Sequence, residues 1–150
     1  MEINFKVADN SDTEILIQFI QEFYEYEGIT YDETIVRTAL AGILKDDSFG
    51  RVWLIKQDNQ AVGYIVLTFG YSLEYRGRDA MIDEFYIRET YQGKGVGKKT
   101  IQFIENVCQG LGIQAVHLEV ERENQKAQNL YRQAGFTDKN RHFLTKWIIL

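Results

Sequence analysis

Hydrophobic positions along the chain follow two periods, which predict a succession of strands and helices. Strands are predicted where apolar and polar residues alternate, or where a short apolar run lies between turn signals. Helices are predicted where apolar residues recur every three or four positions. The predicted strands are Ile3–Val7 and residues 51–56, 61–69, 80–87, 115–120 and 143–150. The predicted helices run from the cap signal Ser11 and Asp12 to the stop signal Gly28, and then cover residues 31–44, 98–111 and 124–134.

The order of these elements is β-α-α-β-β-β-α-β-α-β, which indicates an α/β protein of the α+β type. Such an order favours a mixed, mostly antiparallel twisted sheet of about six to seven strands with helices on both faces. Residues 70–78, between the third and fourth strands, are predicted to form a loop. A length of 150 residues suits one domain with a substantial core, so residues 1–150 are predicted to be a single domain.

Charge and composition narrow the classes of function. The formal net charge of −5 argues against a nucleic-acid-binding protein and is compatible with a cationic substrate. No apolar run is long enough to cross a membrane, and the N-terminus lacks the layout of a signal peptide. Cys108 is the only cysteine, which excludes an internal disulfide and suits a small core residue. These features together predict a cytoplasmic protein.

A glycine cluster between a predicted strand and a predicted helix is the strongest candidate binding site. Glycines allow tight turns and close backbone approach, and a helix N-terminus offers unpaired N–H groups with a partial positive charge. The segment is therefore predicted to bind the phosphates of a cofactor. It matches neither the Walker A pattern nor the dinucleotide fingerprint G-x-G-x-x-G. Its residues are Gln92, Gly93, Lys94, Gly95, Val96, Gly97 and Lys98, followed by Lys99.

Two linked motifs resemble those of the GCN5-related N-acetyltransferase (GNAT) family. Residues 92–97 match the family's pyrophosphate loop, Q/R-x-x-G-x-G/A. Residues 124–136 are similar to its later segment N-x-x-A-x-x-L/F-Y followed by G-F. The match covers residues 62–136 well and is nearest to the diamine and polyamine-type enzymes. It implies the family's fold, an acetyltransferase activity, acetyl-CoA as acetyl donor and a homodimer.

The resemblance also implies which residues hold acetyl-CoA. The loop and the first turn of the helix would bind the pyrophosphate. Backbone groups of Phe85, Tyr86 and Ile87 would pair with the pantetheine arm as an added strand does. Asn124 would bind the same arm from the other side, with Ala127 beside it, although an Asn here is also a good helix N-cap. The two histidines, His117 and His142, are far apart and lack a third ligand, so no metal site is predicted.

Two residues are candidates for proton transfer. By resemblance, Tyr131 lends its phenolic proton to the departing thiolate, which a group with pKa near 10 can do; the alternative is a core tyrosine. Asp83 is the candidate base, with Glu84 second. Strand alternation predicts that Asp83 shares a face with Phe85 and Ile87, while Glu84 points the other way. The alternative for Asp83 is a structural ion pair.

The proposed substrate is a primary amine, in particular a small cationic one such as a polyamine or a diamino acid. Tyr26 and Glu27 resemble a Tyr-Glu pair of the polyamine branch, and rings with carboxylates suit a cation; Glu84 is a further substrate-binding candidate. A solvated helix end is the alternative for Tyr26 and Glu27. Two other functions stay open from sequence, namely acetylation of protein lysines or N-termini, and non-catalytic acyl-CoA binding by a regulator.

Overall fold

The computed structural model describes residues 1–149, which contain five strands and four α-helices. The strands are β1 (Ile3–Val7), β2 (Gly50–Gln57), β3 (Gln60–Ser72), β4 (Gly77–Ile87) and β5 (Ala115–His117). The helices are α1 (Thr13–Glu27), α2 (Glu33–Lys45), α3 (Val96–Gly110) and α4 (Gln125–Gln133). Met1–Glu119 forms one compact unit, and a second begins at Val120. A single domain over residues 1–150 stays a prediction.

The sheet has the order β1-β2-β3-β4-β5, in which neighbouring strands are antiparallel except for the parallel pair β4 and β5. The predicted mixed, mostly antiparallel sheet is therefore confirmed. The predicted loop over residues 70–78 is wrong at both ends, because Gly70 pairs with Asp79 and Ser72 pairs with Gly77. Cross-strand hydrogen bonds extend β3 and β4 beyond the apolar runs from which the sequence pattern predicted them.

Helices cover both faces of the sheet within Met1–Glu119. On one face, buried residues of α1 such as Leu16 and Phe19 belong to one cluster with Leu54 of β2 and Tyr64 of β3. On the other face, the Phe103 ring of α3 stacks on Phe5 and meets the edge of Trp53. Cys108 of α3 is buried, as the sequence predicted.

Helix ends follow local signals. Asp12 is the N-cap residue of α1, within the predicted signal, although its side chain makes no capping hydrogen bond to that helix. Asp9 caps the short 3-10 turn that precedes α1 by accepting the Ser11 N–H at 2.9 Å. Gly28 ends α1 with φ +71°, a conformation that costs glycine little. Asp32 starts α2 by accepting the Ile35 N–H at 3.2 Å.

The predicted last strand does not form in the part of residues 143–150 that the structure describes. Residues 143–149 contain no strand, and the large side chains of Leu144 and Ile149 are 88% and 87% exposed. β5 also ends at His117 rather than at residue 120. The described sheet consequently has five strands instead of six to seven. An apolar pattern shows strand propensity but does not supply the neighbouring strand that completes the hydrogen bonding.

Candidate functional site

The glycine segment forms a tight turn between β4 and α3. β4 is followed by a short 3-10 helix, Glu89–Tyr91, and Gln92 then donates a side-chain hydrogen bond to the Ile87 carbonyl at 2.6 Å. Gly93 and Gly95 have φ of +75° and +86°, and a Cβ on either would meet no atom within 4 Å. Glycine is therefore needed at both positions for backbone conformation, and the space above them is open to a ligand.

The start of α3 presents backbone donors at this turn. The Lys99 N–H bonds to the Gly95 carbonyl at 3.1 Å, which is the first turn of the helix. The N–H groups of Val96, Gly97 and Lys98 precede that bond, so they have no intrahelical acceptor. Basic side chains exposed around them are Lys94, Lys98 and Lys99. Helix N–H groups and surrounding cations make this end of α3 fit a pyrophosphate.

β4 and β5 are paired over only a short length. Their register runs from Asp79 opposite Ala115 to Met81 opposite His117, while β4 continues to Ile87. Apart from Asp83, residues 82–87 pair with β3 on one side, and within the described residues they pair with no strand on the β5 side. Phe85, Tyr86 and Ile87 lie in this stretch. An open strand edge of this kind fits an extended ligand that bonds to the backbone as a strand does.

A β-bulge lies in the same stretch of β4. Val66 of β3 pairs with Glu84, whereas the next residue, Leu67, pairs with Ile82, which leaves Asp83 as the extra residue. A bulge disrupts the ladder locally, bends the strand and redirects a side chain. The bulge therefore sets the orientation of the candidate base.

The bulge also interrupts the regular alternation from which the face of Asp83 was predicted. Paired residues share a face, so Met81 lies with Thr68 and Glu84 lies with Val66. Thr68 and Val66 are two residues apart on β3 and face the same side, so Met81 and Glu84 do as well. Glu84 is regularly paired and faces away from Phe85 and Ile87, as predicted, whereas Asp83 is unpaired in the register and its face stays a prediction.

Glu84 is held by two phenols from different elements. The Tyr24 hydroxyl of α1 donates to Oε2 of Glu84 at 2.5 Å, and the Tyr64 hydroxyl of β3 donates to Oε1 at 2.7 Å. Burial, with a further contribution from the charge of Asp83, holds the pKa of Glu84 above its usual range, and the hydrogen bonds from the two phenols act to lower it. Burial also raises the pKa of both phenols, and the charge of Glu84 adds to that effect. Desolvation raises the pKa of Asp83 although its side chain reaches solvent.

A second contact joins α1 to β4 close to the glycine turn. Arg88 binds Glu22 through both carboxylate oxygens, at 3.0 and 2.9 Å, and lies over the Phe19 ring. The Tyr86 hydroxyl donates to the same carboxylate at 2.9 Å. Hydrogen bonding to Arg88 lowers the pKa of Glu22. Burial, and after it the hydrogen bond to Glu22, raises the pKa of Tyr86 to about 12. This ion pair fixes the segment that leads into the glycine turn.

The tyrosine of α1 that bonds to Glu84 is not Tyr26, and the predicted contacts of Tyr26 and Glu27 with the amine stay predictions. Tyr26 is 74% exposed, and Glu27, near the end of α1, is half-buried. Tyr24 is the residue bonded to Glu84, and the sequence analysis missed both Tyr24 and Tyr64. Helical spacing offered a signal for Tyr24, which lies four residues after the buried Ile20 and so shares its stripe. No comparable signal marked Tyr64.

The second unit carries the other predicted acetyl-CoA residues. Asn124 accepts the Ala127 N–H at 3.1 Å, so its side chain caps α4. The Tyr131 ring meets the edge of Phe136 with centroids 5.8 Å apart, and Tyr131 is half-buried. The roles of Asn124, Ala127 and Tyr131 toward acetyl-CoA stay predictions.

Other kinds of site find no support in the residues that the structure describes. In residues 1–149 no group of three His, Cys, Asp or Glu side chains could hold a metal ion. His117 instead bonds Asp79 at 3.0 Å and lies against the Tyr75 ring. Over the same residues, no helix combines the length and apolar character that a membrane crossing requires.

Known proteins that are similar to this chain in sequence or in structure include several acetyltransferases. Thialysine N-epsilon-acetyltransferase of Bos taurus is 27% identical over 149 residues, covering 91% of this chain and 85% of the relative. Spermine/spermidine N(1)-acetyltransferase of Bacillus subtilis is 26% identical over 131 residues, covering 83% and 68%. A predicted acetyltransferase of Clostridium acetobutylicum, solved with acetyl-CoA, superposes with a TM-score of 0.80 at 18% identity, covering 97% and 96%.

The family comparison covers most of the chain. The model of the acetyltransferase (GNAT) family matches residues 14–136, from the first turn of α1 to the residue that packs on Tyr131. That span includes the glycine turn, the open edge of β4, and both carboxylates. The chain therefore belongs to the GNAT acetyltransferase family.

Proposed function

We propose that this protein transfers the acetyl group of acetyl-CoA to a primary amine of a small cationic compound, such as a polyamine or a diamino acid. Acetyl-CoA as donor follows from membership of the family. The observation that carries the amine assignment is the pair of acids, Asp83 and Glu84, at the open edge of β4. The thialysine and spermine/spermidine acetyltransferases among its relatives support the same class of substrate.

The chemistry makes separate demands on the two acids. An aliphatic amine with pKa near 10 arrives protonated at neutral pH and must lose a proton before its nitrogen can attack. Asp83 is the proposed acceptor, directly or through a water, and its raised pKa makes it a better base than an ordinary aspartate. Glu84 has its oxygens occupied by two phenols, so it suits attraction of a cation better than proton transfer.

The remaining predicted groups complete the proposal. The thioester of acetyl-CoA supplies the acetyl group and a thiolate leaving group. Gly93, Gly95 and the α3 amides are proposed to bind its pyrophosphate, and Tyr131 to donate a proton to the leaving sulfur. Tyr26 and Glu27 are proposed to bind a distal part of the amine. We also propose a cytoplasmic location, supported by the single, buried Cys108. We propose a homodimer because the chain resembles family members that form dimers.

The test is an amine panel assayed by release of free CoA thiol. It should contain polyamines, diamino acids, aminoglycosides and a lysine peptide. Each diamine is paired with the monoamine of equal chain length, so that only the second positive charge differs. We expect diamines to have the higher kcat/KM. Equal rates for the paired compounds would contradict a cationic site, and preference for the lysine peptide would favour a protein acetyltransferase.

A further inference from the structure

Two tyrosines hold the carboxylate of Glu84, and neither brings a positive charge to it. We propose that Tyr24 and Tyr64 are positioning residues that keep Glu84 as an ionised carboxylate, so that it acts as a fixed negative charge for the cationic amine beside Asp83. The amine in this proposal rests on the proposed function above. The charge state of Glu84 does not, because it follows from contacts within residues 1–119.

The hydrogen bonds are arranged for an ionised carboxylate. A carboxylate only accepts hydrogen bonds, and here each oxygen accepts one hydroxyl, at 2.5 Å from Tyr24 and 2.7 Å from Tyr64. Protonation of Glu84 would turn one carboxylate oxygen into a hydroxyl, which is a weaker acceptor, so the hydrogen bond from one of the phenols would weaken. Tyr64 is fully buried, so its hydroxyl could not replace such a loss with a bond to water.

Both phenols are fixed by packing before any ligand binds. The Tyr64 ring lies on the central strand β3 and meets the edge of the Phe23 ring, with centroids 6.3 Å apart. The Tyr24 ring meets the edge of the Tyr31 ring at 6.2 Å. Since α1 and β3 contribute to the same buried cluster, the two phenols hold the Glu84 carboxylate between elements that pack on each other.

Neutral donors leave the charge of Glu84 uncancelled. Among the ion pairs of residues 1–149, none includes Glu84. The nearby cation on this face, Arg88, is bound by both oxygens of Glu22, and Tyr86 donates to that same carboxylate. The charged neighbour that acts on Glu84 is Asp83, which is itself negative. A lysine or arginine in place of the phenols would also stabilise the carboxylate, but its positive charge would cancel the attraction of Glu84 for an amine.

The experiment measures the pKa of Glu84 directly by carbon-13 NMR of its side-chain carboxyl in the full-length protein. Tyr64→Phe and Tyr24→Phe each remove one hydrogen bond to the ionised form, so each should raise that pKa by about one unit or more. Tyr86→Phe is the matched control for this titration, because it removes a phenol that is bonded to Glu22. Tyr24 lies on a surface helix, so its variant keeps the test available if Tyr64→Phe folds poorly.

Kinetics test the functional half of the proposal. For Tyr24→Phe and Tyr64→Phe with the best diamine of the panel, the acid limb of the pH profile of kcat/KM should shift to higher pH together with the pKa of Glu84. The acid limb for the matched monoamine should shift less. A Glu84 pKa unchanged in both variants would overturn the proposal, and so would a shifted pKa with an unmoved acid limb for the diamine. If no amine is acetylated, the proposed function fails, and the NMR titration still decides whether the phenols keep Glu84 ionised.

Discussion

Gly63 lies on β3 beside the part of β4 that carries Phe85 to Ile87. It pairs with Ile87, and a Cβ built on it would lie 2.0 Å from the Tyr86 carbonyl oxygen and 3.0 Å from the Ile87 Cα. Both are backbone atoms, which cannot move aside by changing a rotamer. Gly63→Ala must therefore push β4 away from β3 at this point.

The magnitude follows from that geometry. Overpacking of a tightly packed site costs about 1–3 kcal/mol, and one weakened ladder hydrogen bond adds about 1 kcal/mol. We expect Gly63→Ala to lower the free energy of unfolding by about 2–4 kcal/mol. The same substitution at Gly42 is the matched control, since it lies in α2 with nothing within 4 Å of its Cβ. Gly42→Ala should raise the free energy of unfolding by about 1 kcal/mol, because alanine is the better helix former.

Urea unfolding followed by circular dichroism measures both variants under the same conditions. Acetyl-CoA binding to folded Gly63→Ala, measured by calorimetry, should also be weaker than in the parent, since the displaced carbonyl belongs to the stretch proposed to bind the pantetheine arm. A free energy of unfolding within about 0.5 kcal/mol of the parent would show that β3 and β4 yield without cost, which would refute the packing argument.

Four further predictions concern the site. Gly95→Ala places a side chain at φ +86° in the open space over the turn, so calorimetry should show acetyl-CoA affinity reduced about tenfold or more; unchanged affinity would remove this turn from the site. Tyr131→Phe should lower kcat by about 10²-fold or more with acetyl-CoA affinity preserved, and a kcat within about threefold of the parent would assign Tyr131 to packing. Asp83→Asn should lower kcat yet raise the urea midpoint at neutral pH. Folding raises the pKa of Asp83, so the parent protein becomes less stable as pH rises from the unfolded pKa through the folded pKa, and the neutral Asn avoids that loss. A gain in midpoint that does not depend on pH would contradict this explanation. Glu22→Gln should lower the free energy of unfolding at neutral pH by about 1–2 kcal/mol, and the difference should shrink as pH falls through the lowered pKa of Glu22; a difference that persists in acid would exclude the ion pair as its source.

The sequence alone determined the parts of this protein that depend on neighbouring residues in the chain. Glycine adopts positive φ at little cost, and this property places the glycine turn before α3 and ends α1 at Gly28. Both features can therefore be predicted from a few neighbouring residues. Periodicity likewise predicted the four helices and the first five strands, because amphipathic patterns report which face is buried. The two linked motifs, each confined to a short segment, were enough to indicate the family.

Tertiary structure decided the strand register and the contacts between side chains that are distant in sequence. The bulge at Asp83 arises from the register of β4 against β3, which no pattern within β4 specifies. Tyr24 and Glu84 are 60 residues apart, so their hydrogen bond could not be inferred from either helical or strand spacing. The apolar residues 143–149 show the converse, since strand propensity there led to no strand in the described chain. Local sequence sets backbone preference, whereas strand register and contacts between distant side chains depend on which elements pack together.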